Sequence, residues 1–92
     1  MVIWKYRIEL VDSQTVHFPA VRYFLHAGQQ GTGPYGDLCL WFMVDPESAQ
    51  VERTIRIYGT GHQIDKPEDE LNYLASVVMG SGQLVWHVFE EK

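Results

Sequence analysis

Apolar and polar residues alternate with a period of two from the start of the chain, where Trp4, Tyr6, Ile8 and Leu10 are separated by Lys5, Arg7 and Glu9. That period sends successive side chains to opposite faces of an extended backbone, so it predicts a β-strand with one wet face. The alternation returns at 52–58, with Ile55 and Ile57 on one face and Thr54, Arg56 and Tyr58 on the other. Thr15 to Phe18 reads as a short strand stopped by Pro19, and 21–27 as a mixed apolar run of β-formers. Residues 38–44 are apolar at every position, which predicts a central strand buried on both sides.

Turn chemistry separates these runs. Asp12, Ser13 and Gln14 form one turn signal, and Asp45 to Ser48 another. Residues 28–37 hold four glycines and a proline, so they predict a long hairpin loop. Gly59 to His62 interrupts the second alternating strand. Pro67 to Glu70 suits a helical turn, since acidic residues favour a helix N-terminus. Residues 71–79 fit either structure: Leu71, Leu74, Ala75 and Val78 match a helix, Tyr73, Ala75, Val77 and Met79 a strand. We read them as a strand, because Gly80, Ser81 and Gly82 make a hairpin-like link to 84–89, which is strongly β in composition. The expected fold is all-β, with about seven short antiparallel strands forming a small sandwich or barrel as one domain over 1–92.

So short a chain buries only about 60–65% of its unfolded surface. Yet it carries three Trp, five Tyr and four Phe. A homo-oligomer is expected, because association would cover surplus aromatic surface and open sheet edges. The net charge of −5 lacks the basic stripe of a nucleic-acid binder, so no nucleic-acid partner is expected. No apolar run reaches the length of a membrane span, and the first residues do not follow the pattern of a signal peptide. The lone cysteine, Cys39, lies in an apolar run and reads as a buried thiol in a reducing compartment, so a cytoplasmic location is expected.

Three stretches carry a resemblance. They are Leu40-Trp-Phe-Met-Val-Asp-Pro46, Ile55-Arg-Ile-Tyr-Gly-Thr-Gly-His62 and Leu84-Val-Trp-His-Val-Phe-Glu90. With Trp4-Lys-Tyr6 and the 14–19 stretch, they resemble a domain-of-unknown-function family of small proteins from tailed bacteriophages and prophages. The resemblance covers nearly the whole chain and implies a phage context, hence a bacterial cytoplasm during infection. It implies no reaction. The 28–37 segment departs from it, being longer and richer in glycine.

Gly59-Thr-Gly-His62 is the best local site signal. Glycines let backbone approach a ligand and offer N–H groups, while Thr60 and His62 add side-chain donors. Arg56, sharing a face with Tyr58, would supply a charge-assisted contact. The segment is neither a P-loop nor a dinucleotide fingerprint, because the further Gly, Lys and Ser/Thr positions are missing. The site residues expected to bind ligand are Arg56, Tyr58, Gly59, Thr60, Gly61 and His62. Trp41 is chosen for stacking, after weighing Trp41 and Trp86 together.

No catalytic set is apparent. His17, His26, His62 and His87 show no metal-ligand spacing, and neither metal nor cofactor is expected. His87 reads as a core or interface residue satisfied by one hydrogen bond. Glu68, Asp69 and Glu70 read as a solvated run, and Ser81 as a turn residue rather than a nucleophile. The expectation is a phage-encoded, non-enzymatic binding protein that sequesters a small nucleotide-derived host signalling molecule in an oligomer. The alternatives are an interaction module for a host or phage protein and, less favoured, a small phosphoester hydrolase.

Overall fold

The alternating strands close into two stacked antiparallel sheets in a computed structural model that describes residues 1–31, 36–80 and 82–92. Among the described residues there are seven strands: β1 (Val2–Ile8), β2 (Ser13–Pro19), β3 (Arg22–Gln30), β4 (Asp37–Val44), β5 (Gln50–Gly59), β6 (Leu71–Met79) and β7 (Leu84–Glu91). One sheet has the order β1-β4-β3 and the other β2-β5-β7-β6. The fold is therefore a sandwich and not a closed barrel. Edge strands β3 and β6 run beside each other and join the layers along one side. Among the described residues no helix is long and apolar enough to cross a membrane.

Strand parity decides what the core contains. Ile8, Leu38, Leu40, Phe42 and Val44 point inward from the first sheet and meet Phe18, Ile55, Ile57, Val77, Met79 and Val88 of the second. Tyr6, Phe18, Phe24 and Phe42 form a connected aromatic group, with neighbouring ring centroids 4.7 to 5.8 Å apart. Tilted and edge-on ring contacts of this kind add about 0.5–1.5 kcal/mol each beyond the area they bury.

One charged group shares this interior. Glu90 follows Val88 on the inward face of β7 and is only 7% exposed. Its carboxylate accepts a hydrogen bond from Arg22 Nη2 of the opposite sheet at 2.7 Å, and another from Arg53 Nη2 of its own sheet at 3.3 Å. Arg53 also donates to the Glu91 carbonyl at 2.6 Å, and Arg22 lies over the Phe18 ring at 5.0 Å. The clamp ties the layers together where the chain turns between them.

Several expected elements shift. The first strand ends at Ile8, leaving Leu10 and Val11 exposed in the turn to β2. The expected loop at 28–37 is shorter, because β3 runs on to Gln30 and β4 starts at Asp37. Its residues 32–35 lie outside the described residues, as does Ser81 in the β6–β7 connection. Strand β4 is central as expected, and Cys39 is buried, which pushes its thiol pKa up. On its outer face, however, Trp41 and Met43 stay partly exposed.

Residues 71–79 are a strand, with a bulge between Tyr73 and Ala75. The extra residue shifts the phase, so Leu74 at the bulge and Val77 and Met79 beyond it pack on the core, while Leu71, paired with Glu91, is buried outside that cluster. A bulged strand thereby imitates helical spacing. The turn at Glu68–Glu70 is a short 3-10 helix, as the acidic run implies.

Removing one member of a buried ion cluster strands the others, at a cost of about 3–5 kcal/mol. Glu90→Ala should therefore lower the unfolding free energy by about 3 kcal/mol in urea titrations. A loss below about 1 kcal/mol would mean that water satisfies both arginines without it.

Candidate functional site

The second sheet carries a parallel pair, β5 and β6, separated by β7. The chain leaving β5 must therefore travel the length of the sheet before β6 can begin, and residues 60–67 do so as a strap across the outer face. Parity places Arg56 and Tyr58 of β5 on that face, beneath the strap. Tyr58 is consequently buried although it points away from the core.

Asp65 fastens the strap. Tyr58 O–H donates to its Oδ1 at 2.9 Å, and Arg56 Nη1 donates to the same oxygen at 3.2 Å. Arg56 Nε also donates to Glu91 Oε1 at 3.0 Å, and Lys66 Nζ lies 3.3 Å from that oxygen. The Tyr58 hydrogen bond, helped by the Arg56 and Lys66 charges, holds the Asp65 carboxyl below its usual value. Burial pushes the Tyr58 hydroxyl up, and its bond to Asp65 adds to the shift. Burial alone would raise Glu91, but the donors Arg56 and Lys66 outweigh it and hold it low. Burial alone would lower Arg56, but the Tyr58 hydroxyl, the Glu91 hydrogen bond and the Asp65 charge beside it outweigh that and raise it.

The strap starts with a tight turn. His62 N–H donates to the Gly59 carbonyl at 3.1 Å, and Gly61 sits at φ +87°, a left-handed conformation that only glycine adopts without strain. Gly59 N–H donates back to His62 Nδ1 at 3.2 Å, so a neutral His62 carries its proton on Nε2. The imidazole folds over the turn so closely that a Cβ on Gly59 would lie 2.7 Å from His62 Cε1.

His62 stands between two shallow clefts. One, of about 260 Å³, is walled by Asp12, Arg56, Tyr58 and Asp65. Two carboxylates line it, and its arginine is already shared between Asp65 and Glu91, so it offers little to an anion. The other, of about 220 Å³, lies between the turn and the start of β7, with Gly59, Thr60, His62, Gln83 and Trp86 in its wall. It bears no formal charge with His62 neutral. Trp86 Nε1 is buried with no hydrogen-bond partner among the described residues.

Thr60 is held by a chain of hydrogen bonds. Its Oγ1 lies 2.7 Å from His87 Nε2, His87 Nδ1 lies 2.6 Å from Ser76 Oγ, and Ser76 Oγ lies 2.8 Å from the Tyr73 hydroxyl. His87 thus has two partners where one was expected. Cross-strand register explains the chain, since Ser76 and Tyr58 flank His87 directly on the outer face.

The structure brings Arg56, Tyr58, Gly59, Thr60, Gly61 and His62 together but divides their work. Arg56 and Tyr58 hold the strap, whereas Gly59, Thr60 and His62 border the uncharged cleft. Trp41 lies apart, on the outer face of the other sheet, with its ring centroid 5.5 Å from that of His26. It cannot stack on a ligand at the turn, and Trp86 is the tryptophan at the cleft. Sequence reading missed Asp65 and Glu91, which carry no motif. The parity of Trp86 with Leu84 and Val88 was the signal that placed it on the inner edge of β7 beside Gly59. Among the described residues no group of three or more His, Cys, Asp or Glu is arranged to hold a metal ion.

Two outcomes follow from this geometry. A folded-state carboxyl pKa below the unfolded value near 3.9 stabilises the strap above that value, and the contribution is lost as pH falls through the lowered value. Hydrogen-exchange protection of the amides of residues 63–66 should therefore drop in acid below about pH 4. Asp65→Asn should weaken the protection at neutral pH and remove the acid step, whereas an unchanged acid step would place the latch elsewhere. Gly59→Ala should displace His62 and shift its ring resonances in NMR spectra, with an unmoved ring contradicting the close approach.

No curated protein and no solved structure matches the chain. A family model described as Domain of unknown function (DUF7352) matches residues 1–92, and the chain belongs to that family.

Proposed function

We propose that this is a non-enzymatic binding protein that captures a small nucleotide-derived molecule by its base, in the uncharged cleft between the 59–62 turn and β7. The observation that carries the reading is the Trp86 indole N–H, buried without a partner in a residue that walls this cleft. A buried unpaired donor costs about 1–3 kcal/mol, and a turn of the indole that opens its N–H to the cleft would let an acceptor on a ligand recover that cost. Thr60, Gln83 and the His62 Nε2–H supply further polar contacts suited to the edge of a heterocycle. The carboxylates of the neighbouring cleft favour a pose in which any phosphate points away from Asp12 and Asp65. The phage context implied by the sequence resemblance makes a host signalling nucleotide the ligand class to try first, in the bacterial cytoplasm.

The hydrolase alternative has one geometric feature in its favour, the Thr60–His87–Ser76 series. A serine stands behind the imidazole where a catalytic set would place a carboxylate, so the binding reading is preferred.

Native mass spectrometry with a bacterial nucleotide extract tests the proposal. The wild type should gain one fixed mass per site. Trp86→Phe, which keeps a ring and removes the N–H, should bind at least about tenfold more weakly, corresponding to about 1.4 kcal/mol. Trp41→Phe should bind as the wild type does. A wild type that gains no mass, or a Trp86→Phe variant of undiminished affinity, would remove the proposal.

A further inference from the structure

Each outer strand of the two sheets has a free edge, and three of the four are blunted. Strands β3 and β6 are bulged, between Phe24 and His26 and between Tyr73 and Ala75, and they lie beside each other. Strand β2 turns polar residues outward (Ser13, Thr15 and His17) and ends on Pro19. Bulges, proline and polar side chains are the usual protections of a sheet edge. Strand β1 has none of these in its first half. It pairs with β4 in unbroken register from Val2↔Val44 to Ile8↔Leu38, so its other side presents a regular row of free N–H and C=O groups.

That edge is also apolar on both faces. Ile3 is 61% exposed on the outer face, while Val2 and Trp4, which point toward the interior side, remain 43% and 40% exposed. The strand's cations do not guard this half. Lys5 Nζ donates to Gln30 Oε1 at 2.6 Å and Arg7 Nε to Asp37 Oδ1 at 3.0 Å, which draws both charges across their own sheet.

We infer that the β1 edge pairs antiparallel with β1 of a second copy, making the three-stranded sheet continuous across a two-fold axis. Only an extended strand satisfies a row of edge amides and carbonyls. A second β1 does so while its own unprotected edge is satisfied in the same contact, which is the self-complementarity of a two-fold dimer. Centring the pair on Trp4 sets Ile3 opposite Lys5 of the second copy, and Val2 opposite its Tyr6. Val2 to Tyr6 of the two copies then oppose one another and Arg7 lies opposite Met1, with only Ile8 running past the end of its partner, and no cation faces its own image. Centring on Lys5 would set like charges together, and centring on Ile3 would leave Tyr6, Arg7 and Ile8 unpaired. The exposed Val2, Ile3 and Trp4 of both copies become covered. This inference is independent of the ligand cleft, which lies at the other end of the second sheet.

Light scattering on the purified full chain at micromolar concentrations should give a dimer mass. Ile3→Lys places a charge at an exposed position, so it should yield a monomer with an unchanged far-ultraviolet circular dichroism spectrum. Trp4→Cys should form an intermolecular disulfide on mild oxidation, which the wild type, whose only thiol is the buried Cys39, should not. A wild type that stays monomeric overturns the inference and leaves the edge to a foreign strand. A dimer that survives Ile3→Lys and does not cross-link through Trp4→Cys overturns it too, by placing the interface elsewhere.

Discussion

Glu90 is the constraint around which the two layers are arranged. A carboxylate turned toward the interior of so thin a sandwich is tolerable only if cations reach it, and two do, one from each sheet. Arg22 can reach Glu90 only if β3 stands opposite the end of β7. Arg53 requires the register that sets β5 beside β7. The clamp therefore specifies how the sheets are stacked, while the aromatic group of Tyr6, Phe18, Phe24 and Phe42 supplies much of the apolar burial. Charged interior groups of this kind add little net stability compared with a well-packed apolar substitute. Their effect is to make misaligned stackings costly, because a slip of one residue turns Glu90 out and Glu91 in.

The next residue repeats the arrangement on the opposite face. Glu91 points outward, where it shares Arg56 with Asp65 and so anchors the strap that the topology forces across the sheet. Consecutive glutamates thus organise both surfaces of β7, one between the layers and one beneath the crossover. The candidate site is a consequence of that crossover. Because the strap must begin at the end of β5, the 59–62 turn is held against the start of β7, and the cleft between them is bounded by His62 on one side and Trp86 on the other. The residues that make the strap rigid are thereby separated from those free to meet a ligand.

Much of this was legible in the alternation. Ile55 and Ile57 against Arg56 and Tyr58 gave the faces of β5 correctly, and the apolar run at 38–44 marked the central strand. The pattern failed where an extra residue breaks the period: the bulges at 73–75 and 24–26 blurred β6 and β3 into mixed runs. It also could not show which sheet a tryptophan belongs to. Trp41 and Trp86 have similar local contexts, and only the pairing of β4 with β1 and β3 separates them by the thickness of the sandwich. Glu90 sits in a charged terminal stretch that resembles a solvated tail, although counting by twos from Trp86 and Val88 places it inward. Asp65 had no signal at all, since its partners are set by the path of the strap.

The central claim is that recognition occurs at Trp86 and not at the other tryptophans. The three indole N–H groups give separate signals in a proton–nitrogen correlation spectrum of the labelled protein, and a titration with adenosine and guanosine nucleotides follows them all together. The account predicts that a binding nucleotide shifts the Trp86 indole signal and the amides of Gly59 and Thr60, while those of Trp4 and Trp41 stay in place. A shift confined to Trp41 would move the site to the opposite sheet and contradict it.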